Sequence, residues 1–76
     1  MTQLVRQFGA AVRRLRETRA WSQELLAEHA GLNRSYVGEI ERGEVIASLV
    51  TVEKLANAFE VPIALLLRPA ADELTA

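Results

Sequence analysis

The chain has no cysteine and a single histidine among its 76 residues. Without cysteine there is no disulfide and no thiolate metal site, which fits a reducing cytoplasm. His29 has no companion ligands, so no metal or other cofactor is expected. There is also no nucleophile–histidine pair and no carboxylate pair in a plausible cleft, so an enzyme is not expected. Long apolar runs are missing too. The longest, Val61 to Leu67, is far too short to span a bilayer. The opening Met-Thr-Gln-Leu-Val-Arg-Gln-Phe-Gly lacks an apolar h-region, so no signal peptide is expected and the location is read as cytoplasmic. Neither a membrane nor a small-molecule ligand is expected as a partner.

Excess charge is absent as well, with a net value of −1. The charge is unevenly spread, however. Residues 1–42 carry seven arginines against five glutamates, giving +2, and residues 43–76 carry −3. A basic half beside an acidic half points to a polyanionic partner for the first.

What is present is a repeated start-and-stop pattern between Trp21 and Gly43. Ser22 suits a helix N-cap, because its hydroxyl can accept from a free amide of the first turn. Trp21 before it and Leu26 in the first turn form a hydrophobic staple. Gly31 stops the helix. Asn33 is a second cap, with Leu32 and Val37 as a second staple, and Gly43 is a second stop. Two short helices joined by a tight turn are the pattern of a helix-turn-helix at about 22–42, whose second helix enters a DNA major groove.

The run Ser-Gln-Glu-Leu-Leu-Ala-Glu-His-Ala-Gly-Leu-Asn-Arg-Ser-Tyr-Val-Gly-Glu-Ile-Glu-Arg-Gly closely resembles the phage-repressor (Cro/CI, or XRE) family. The resemblance extends from about Phe8 to Leu67. It implies an all-α, lambda-repressor-like domain of five helices. Leu25 stands where the family usually has glutamate, so the capping-box carboxylate is missing. The family also implies an ion pair between Arg16 and Glu41, the glutamate of Glu-Arg-Gly. Physical reasoning agrees: Glu41 falls on the inward face one turn beyond Val37, and an unpaired buried carboxylate is very costly.

Periodicity predicts the remaining elements. Leu4, Phe8, Val12 and Leu15, with Ala11, make the stripe of a first helix over 3–18. A second helix covers 23–30 with His29 on its surface, and a third covers 34–42. After a loop at 44–47, Ser48 caps a fourth helix over 49–59 with an inward stripe of Leu49, Val52, Leu55, Ala56 and Phe59. Glu60 replaces the glycine that the family often has at that helix end. Pro62 is expected to open a fifth helix over 62–68, Pro69 to stop it, and residues 70–76 to fray.

The whole chain reads as one domain that binds double-stranded DNA to regulate transcription. Arg34 is expected to read a guanine edge, Ser35 and Glu39 to add groove contacts, with Glu39 accepting from a cytosine amino group, Gln23 to bond a phosphate and support the reading helix, and Arg42 to hold a phosphate. Tyr36 is either a sugar-phosphate or thymine contact or a packed, half-buried aromatic. Gly38, expected on the outward arc of the third helix with Ser35, Glu39 and Arg42, either permits close approach to a groove wall or is accepted drift. A homodimer is expected through residues 50–68, with Val50, Ile63, Leu65, Leu66 and Leu67 at the interface, because a helix apolar all round is buried on more than one side. Two copies would read half-sites about 34 Å apart on a roughly palindromic operator. As a short domain whose reading helix begins Arg34-Ser35-Tyr36, the chain resembles the controller proteins of restriction–modification systems. These are small dimeric regulators of their own promoters, and RNA polymerase is a further candidate partner. The alternative is a protein-binding, antitoxin-like module of the same fold.

Overall fold

Short polar side chains set where four helices begin. The computed structural model describes residues 2–68. Thr2 Oγ1 accepts from the Val5 amide at the start of α1 (Gln3–Thr18). Ser22 Oγ does the same for Leu25 in α2 (Gln23–Ala30), despite the missing capping-box carboxylate. Asn33 Oδ1 accepts from Ser35 in α3 (Arg34–Glu41), and Ser48 Oγ from Thr51 in α4 (Leu49–Phe59). Each bond satisfies an amide that the helix itself leaves free. α5 (Ile63–Leu67) has no such cap. Pro62 precedes α5 as an extended N-cap, with ψ 149°, rather than occupying its first turn. The expected stop at Pro69 and the expected frayed tail at 70–76 lie outside the described residues.

The first four helices all end the same way. A residue one or two positions past the end turns left-handed: Ala20 at φ 56°, Gly31 at 67°, Gly43 at 72° and Glu60 at 58°. The next amide then reaches back to a carbonyl in the last turn. The pairs are Trp21 to Arg16 (3.1 Å), Leu32 to Ala27 (2.9 Å), Glu44 to Glu39 (2.9 Å) and Val61 to Ala56 (3.0 Å). This closure normally uses glycine. Ala20 and Glu60 adopt it against a steric cost of about 1–2 kcal/mol each.

Among the described residues the architecture is five helices without a strand, the all-α fold that was expected. α1 lies against α3, α4 and α5, and α2 packs between α3 and α4. Val12, Leu26, Val37, Ile40, Leu55, Phe59 and Leu66 fill the centre. Trp21 and Leu32, the outer residues of the two expected staples, pack on this core, which includes Leu26 and Val37. α1 and α3 meet at backbone distance. A Cβ built on Gly9 would collide with the carbonyl oxygen of Ile40 and lie 3.0 Å from that of Glu41.

Three expectations about facing are corrected. Leu49 is 83% exposed and Leu4 57% exposed, although both extend the inward stripes of their helices. Each sits in the first turn, where the stripe has run past the neighbouring helices. Leu66 was expected at a dimer interface, but it is buried inside its own protomer. A five-residue helix makes too little of a second turn to carry several apolar faces outward. Leu66 takes the inward position, Leu65 is half-buried, and Ile63 and Leu67 remain exposed. Val50 is exposed as expected.

Candidate nucleic-acid interface

The site is built around one buried carboxylate. Ile40 and Val37 draw the inner face of α3 into the core, and Glu41 follows one turn after Val37. Its side chain is only 3% exposed. Arg16 reaches it from α1 with a two-pronged contact, Nε to Oε2 at 2.7 Å and Nη2 to Oε1 at 3.0 Å. Arg16 Nη1 donates to the Trp21 carbonyl at 2.9 Å. The fork of the guanidinium matches the carboxylate, which favours arginine over lysine here. The hydrogen bond to Glu41 raises the Arg16 pKa above its ordinary value, against burial, which lowers it. The pair expected from the sequence is therefore present, and it joins α1 to the end of α3.

Glu41 has a second partner. Gln23 Nε2 donates to Oε1 at 3.1 Å, bringing the first residue of α2 onto the same anion. Gln23 also lines a shallow recess of about 270 Å³ with Arg34, Ser35, Gly38, Glu39 and Arg42. The recess thus gathers five of the six residues expected at the DNA surface. Its back wall is tied to the core through Gln23 and Glu41.

Tyr36 is the sixth, and it lies elsewhere. Its ring packs on the core, and its hydroxyl is 3.4 Å from Thr51 Oγ1 at the start of α4. Ser48 Oγ donates to the same Thr51 oxygen at 3.0 Å. Tyr36 is thus a packed, half-buried aromatic whose hydroxyl meets α4.

Gly38 is not on an open outer arc. It is buried, and a Cβ there would sit 3.0 Å from Arg42 Nη1. The missing side chain leaves a shelf across which the Arg42 guanidinium lies. Arg42 Nε also donates to Glu44 Oε2 at 3.0 Å, and this hydrogen bond raises the pKa of Arg42. The pair is exposed and therefore adds little to stability.

Sequence reasoning missed Arg19. Its Nη2 donates to the Phe59 carbonyl at 2.6 Å, and its guanidinium lies 5.1 Å from the Phe59 ring centroid. A cation at the C-terminus of α4 satisfies a carbonyl the helix leaves free and opposes the negative end of its dipole. Beside it, Trp21 stacks on His29 at 4.3 Å and 12°. The Arg19 contacts fix the α1–α2 turn against α4. The local sequence gives no signal for them, because Phe59 lies 40 residues away.

Among the described residues there is no group of three histidines, cysteines, aspartates or glutamates that could hold a metal, and no helix long and apolar enough to cross a membrane.

Comparison with known proteins agrees with this geometry. The transcriptional regulator SutR of Escherichia coli K12 is 33% identical over 69 residues, covering 91% of this chain and 39% of SutR. The crystal structure of the restriction–modification controller protein C.AhdI from Aeromonas hydrophila superposes with a TM-score of 0.80 at 45% identity, covering 82% of this chain and 94% of that one. The hypothetical transcription factor NHTF from Neisseria gives a TM-score of 0.88 at 36% identity, covering 96% and 84%. The chain spans well under half the length of SutR and about three-fifths of the complete Neisseria meningitidis factor. Residues 7–68 match the helix-turn-helix domain family. The chain therefore belongs to the helix-turn-helix domains of the XRE (Cro/CI) type, a family of DNA-binding transcriptional regulators.

Proposed function

We propose that this domain binds a specific DNA sequence as a homodimer on a roughly palindromic operator. On this reading it controls its own promoter, in the manner of the restriction–modification controllers among its relatives, and acts in the cytoplasm. Activation at that promoter would bring RNA polymerase in as a further partner. The chain is one domain, with the reading motif at 22–42 and the dimerising region at 50–68.

The observation that carries this reading is the convergence of Gln23, Arg34, Ser35, Glu39 and Arg42 on one recess of the second motif helix and its flank. Arg34 stands at the leading end of α3 and is exposed. Its fork matches the O6 and N7 acceptors of guanine. Ser35 lies beside it. Arg42 and Gln23 flank the recess and suit phosphate oxygens. Gln23 has one Nε2 hydrogen committed to Glu41, which leaves the second for a phosphate.

The test is enrichment of bound DNA from a random pool, followed by affinity measurements on variants. Arg34→Ala should weaken specific binding by about 1–3 kcal/mol and relax one base position per half-site. Gln23→Ala should weaken binding on all sequences alike. Wild-type affinity and base preference in Arg34→Ala would remove it as a base reader. A Gln23→Ala defect confined to one base would contradict a phosphate role.

A further inference from the structure

Three glutamates lie on or just beyond α3, and two of them are committed. Glu41 is held by Arg16 and Gln23, and Glu44 by Arg42. Glu39 differs. Its half-buried carboxylate accepts no hydrogen bond and joins no ion pair among the described residues, yet it lines the recess between Arg34 and Arg42. Arg42 feels its charge, yet an anion without a hydrogen-bond donor on a face that meets a polyanion opposes binding to any DNA. It becomes favourable only against a hydrogen-bond donor.

The major groove supplies few donors. Guanine and thymine present oxygen or nitrogen acceptors there. Adenine presents its N6 amino group beside the N7 acceptor, which repels the second carboxylate oxygen. Cytosine presents its N4 amino group with no acceptor on the same edge. One N4 hydrogen is used in pairing with guanine and the other faces the groove. A methyl group on N4 leaves pairing intact only by taking the groove-facing place. It therefore removes the one donor a groove-bound carboxylate can use. A methyl on C5 leaves that donor in place.

Resting on the DNA-reading function proposed above, we infer that Glu39 is a specificity-determining residue that demands an unmodified cytosine amino group, so that N4-methylation of that base switches the site off. The carboxylate acts mainly by exclusion: it penalises every other edge and is relieved by this one.

The experiment uses the sequence enriched by the wild-type protein. Affinities of wild type and Glu39→Ala are measured on that duplex, on its single-base variants, on random-sequence duplex, and on the enriched duplex carrying N4-methylcytosine or 5-methylcytosine. The wild type should lose roughly tenfold on N4-methylation, and about as much when that cytosine is replaced. It should lose little on C5-methylation. Glu39→Ala should bind random DNA more tightly, by about threefold at low salt, and should no longer distinguish the N4-methylated duplex. Equal wild-type affinity for the N4-methylated and unmodified duplexes would overturn the inference. So would an enriched sequence with no cytosine whose preference depends on Glu39. Either result leaves the DNA-reading function standing, whereas failure to enrich any sequence would bring down both.

Discussion

Two recesses of similar size have opposite linings. The first, of about 270 Å³, is walled by Gln23, Arg34, Ser35, Gly38, Glu39 and Arg42. The second, of about 220 Å³, is walled by Leu4, Val5, Phe8, Ile46, Ala47, Leu49, Val52 and Leu67. Directional bonds shape the first. They start at the buried Glu41 carboxylate and end at Gln23 on its wall. The second has no such bonds to define it. Phe8 and Val52 form its floor as part of the core, while Leu4, Ile46, Leu49 and Leu67 stand exposed around it. A single substitution at the hub should therefore damage the first recess and the fold together. The rim of the second can change without cost to the protomer, and it is the exposed apolar patch on which the proposed dimer would rest.

The largest effect is expected at the hub. Glu41→Ala would leave Arg16 partly buried without its anion and should cost about 3–5 kcal/mol in denaturant unfolding. Arg16→Ala should cost a similar amount, and the double variant clearly less than the sum. Additive losses would show that the two charges do not act as a pair.

Gly38→Ala should separate stability from binding. The new Cβ meets only the tip of Arg42, a flexible side chain. The helix gains up to about 1 kcal/mol in thermal stability by losing an interior glycine. Arg42 is displaced from its shelf, so DNA affinity should fall on all sequences alike. Unchanged DNA affinity would show that the place of Arg42 over Gly38 does not matter for binding.

The smallest effect on the protomer is expected at the apolar rim. Leu67→Glu should change protomer stability by no more than about 0.5 kcal/mol, as exposed substitutions usually do. It should nevertheless shift sedimentation from dimer to monomer at tens of micromolar. A wild type that stays monomeric in that range would refute the dimer. Leu66 is unsuitable for this test, because a charge there enters the core.

The two recesses were unequally legible in the sequence. Caps at Ser22, Asn33 and Ser48 and stops at Gly31 and Gly43 are written in single residues, so the motif that carries the polar recess could be read locally. The Arg16–Glu41 pair followed from one inward carboxylate that required a cation. That Gln23 would support the reading helix could be read, but its partner there, Glu41, could not, because that contact depends on how α2 crosses α3. The apolar recess was largely hidden. Leu4 and Leu49 obey the helical period, yet they fall where no neighbour covers them. Period alone cannot show where a packing partner ends. Residues 63–67 offered five apolar side chains and barely one turn, too few to tell Leu66 from Leu67. Glu60 was noted as a departure from glycine, and the helix end closes in the usual geometry regardless.

Gly9 has a consequence for how such a domain can diversify. At Gly9 the joint between α1 and α3 is backbone against backbone, and the Arg16–Glu41 pair and the shared core hold the inner side of α3 around it. The bearing of α3 therefore does not depend on which residues it displays outward. Arg34, Ser35 and Glu39 can be exchanged for a different set as letters are changed in a fixed type-holder, and the scaffold needs no retuning. Grafting another reading surface onto residues 34, 35 and 39 should redirect the domain to a new sequence while its unfolding curve stays where it was.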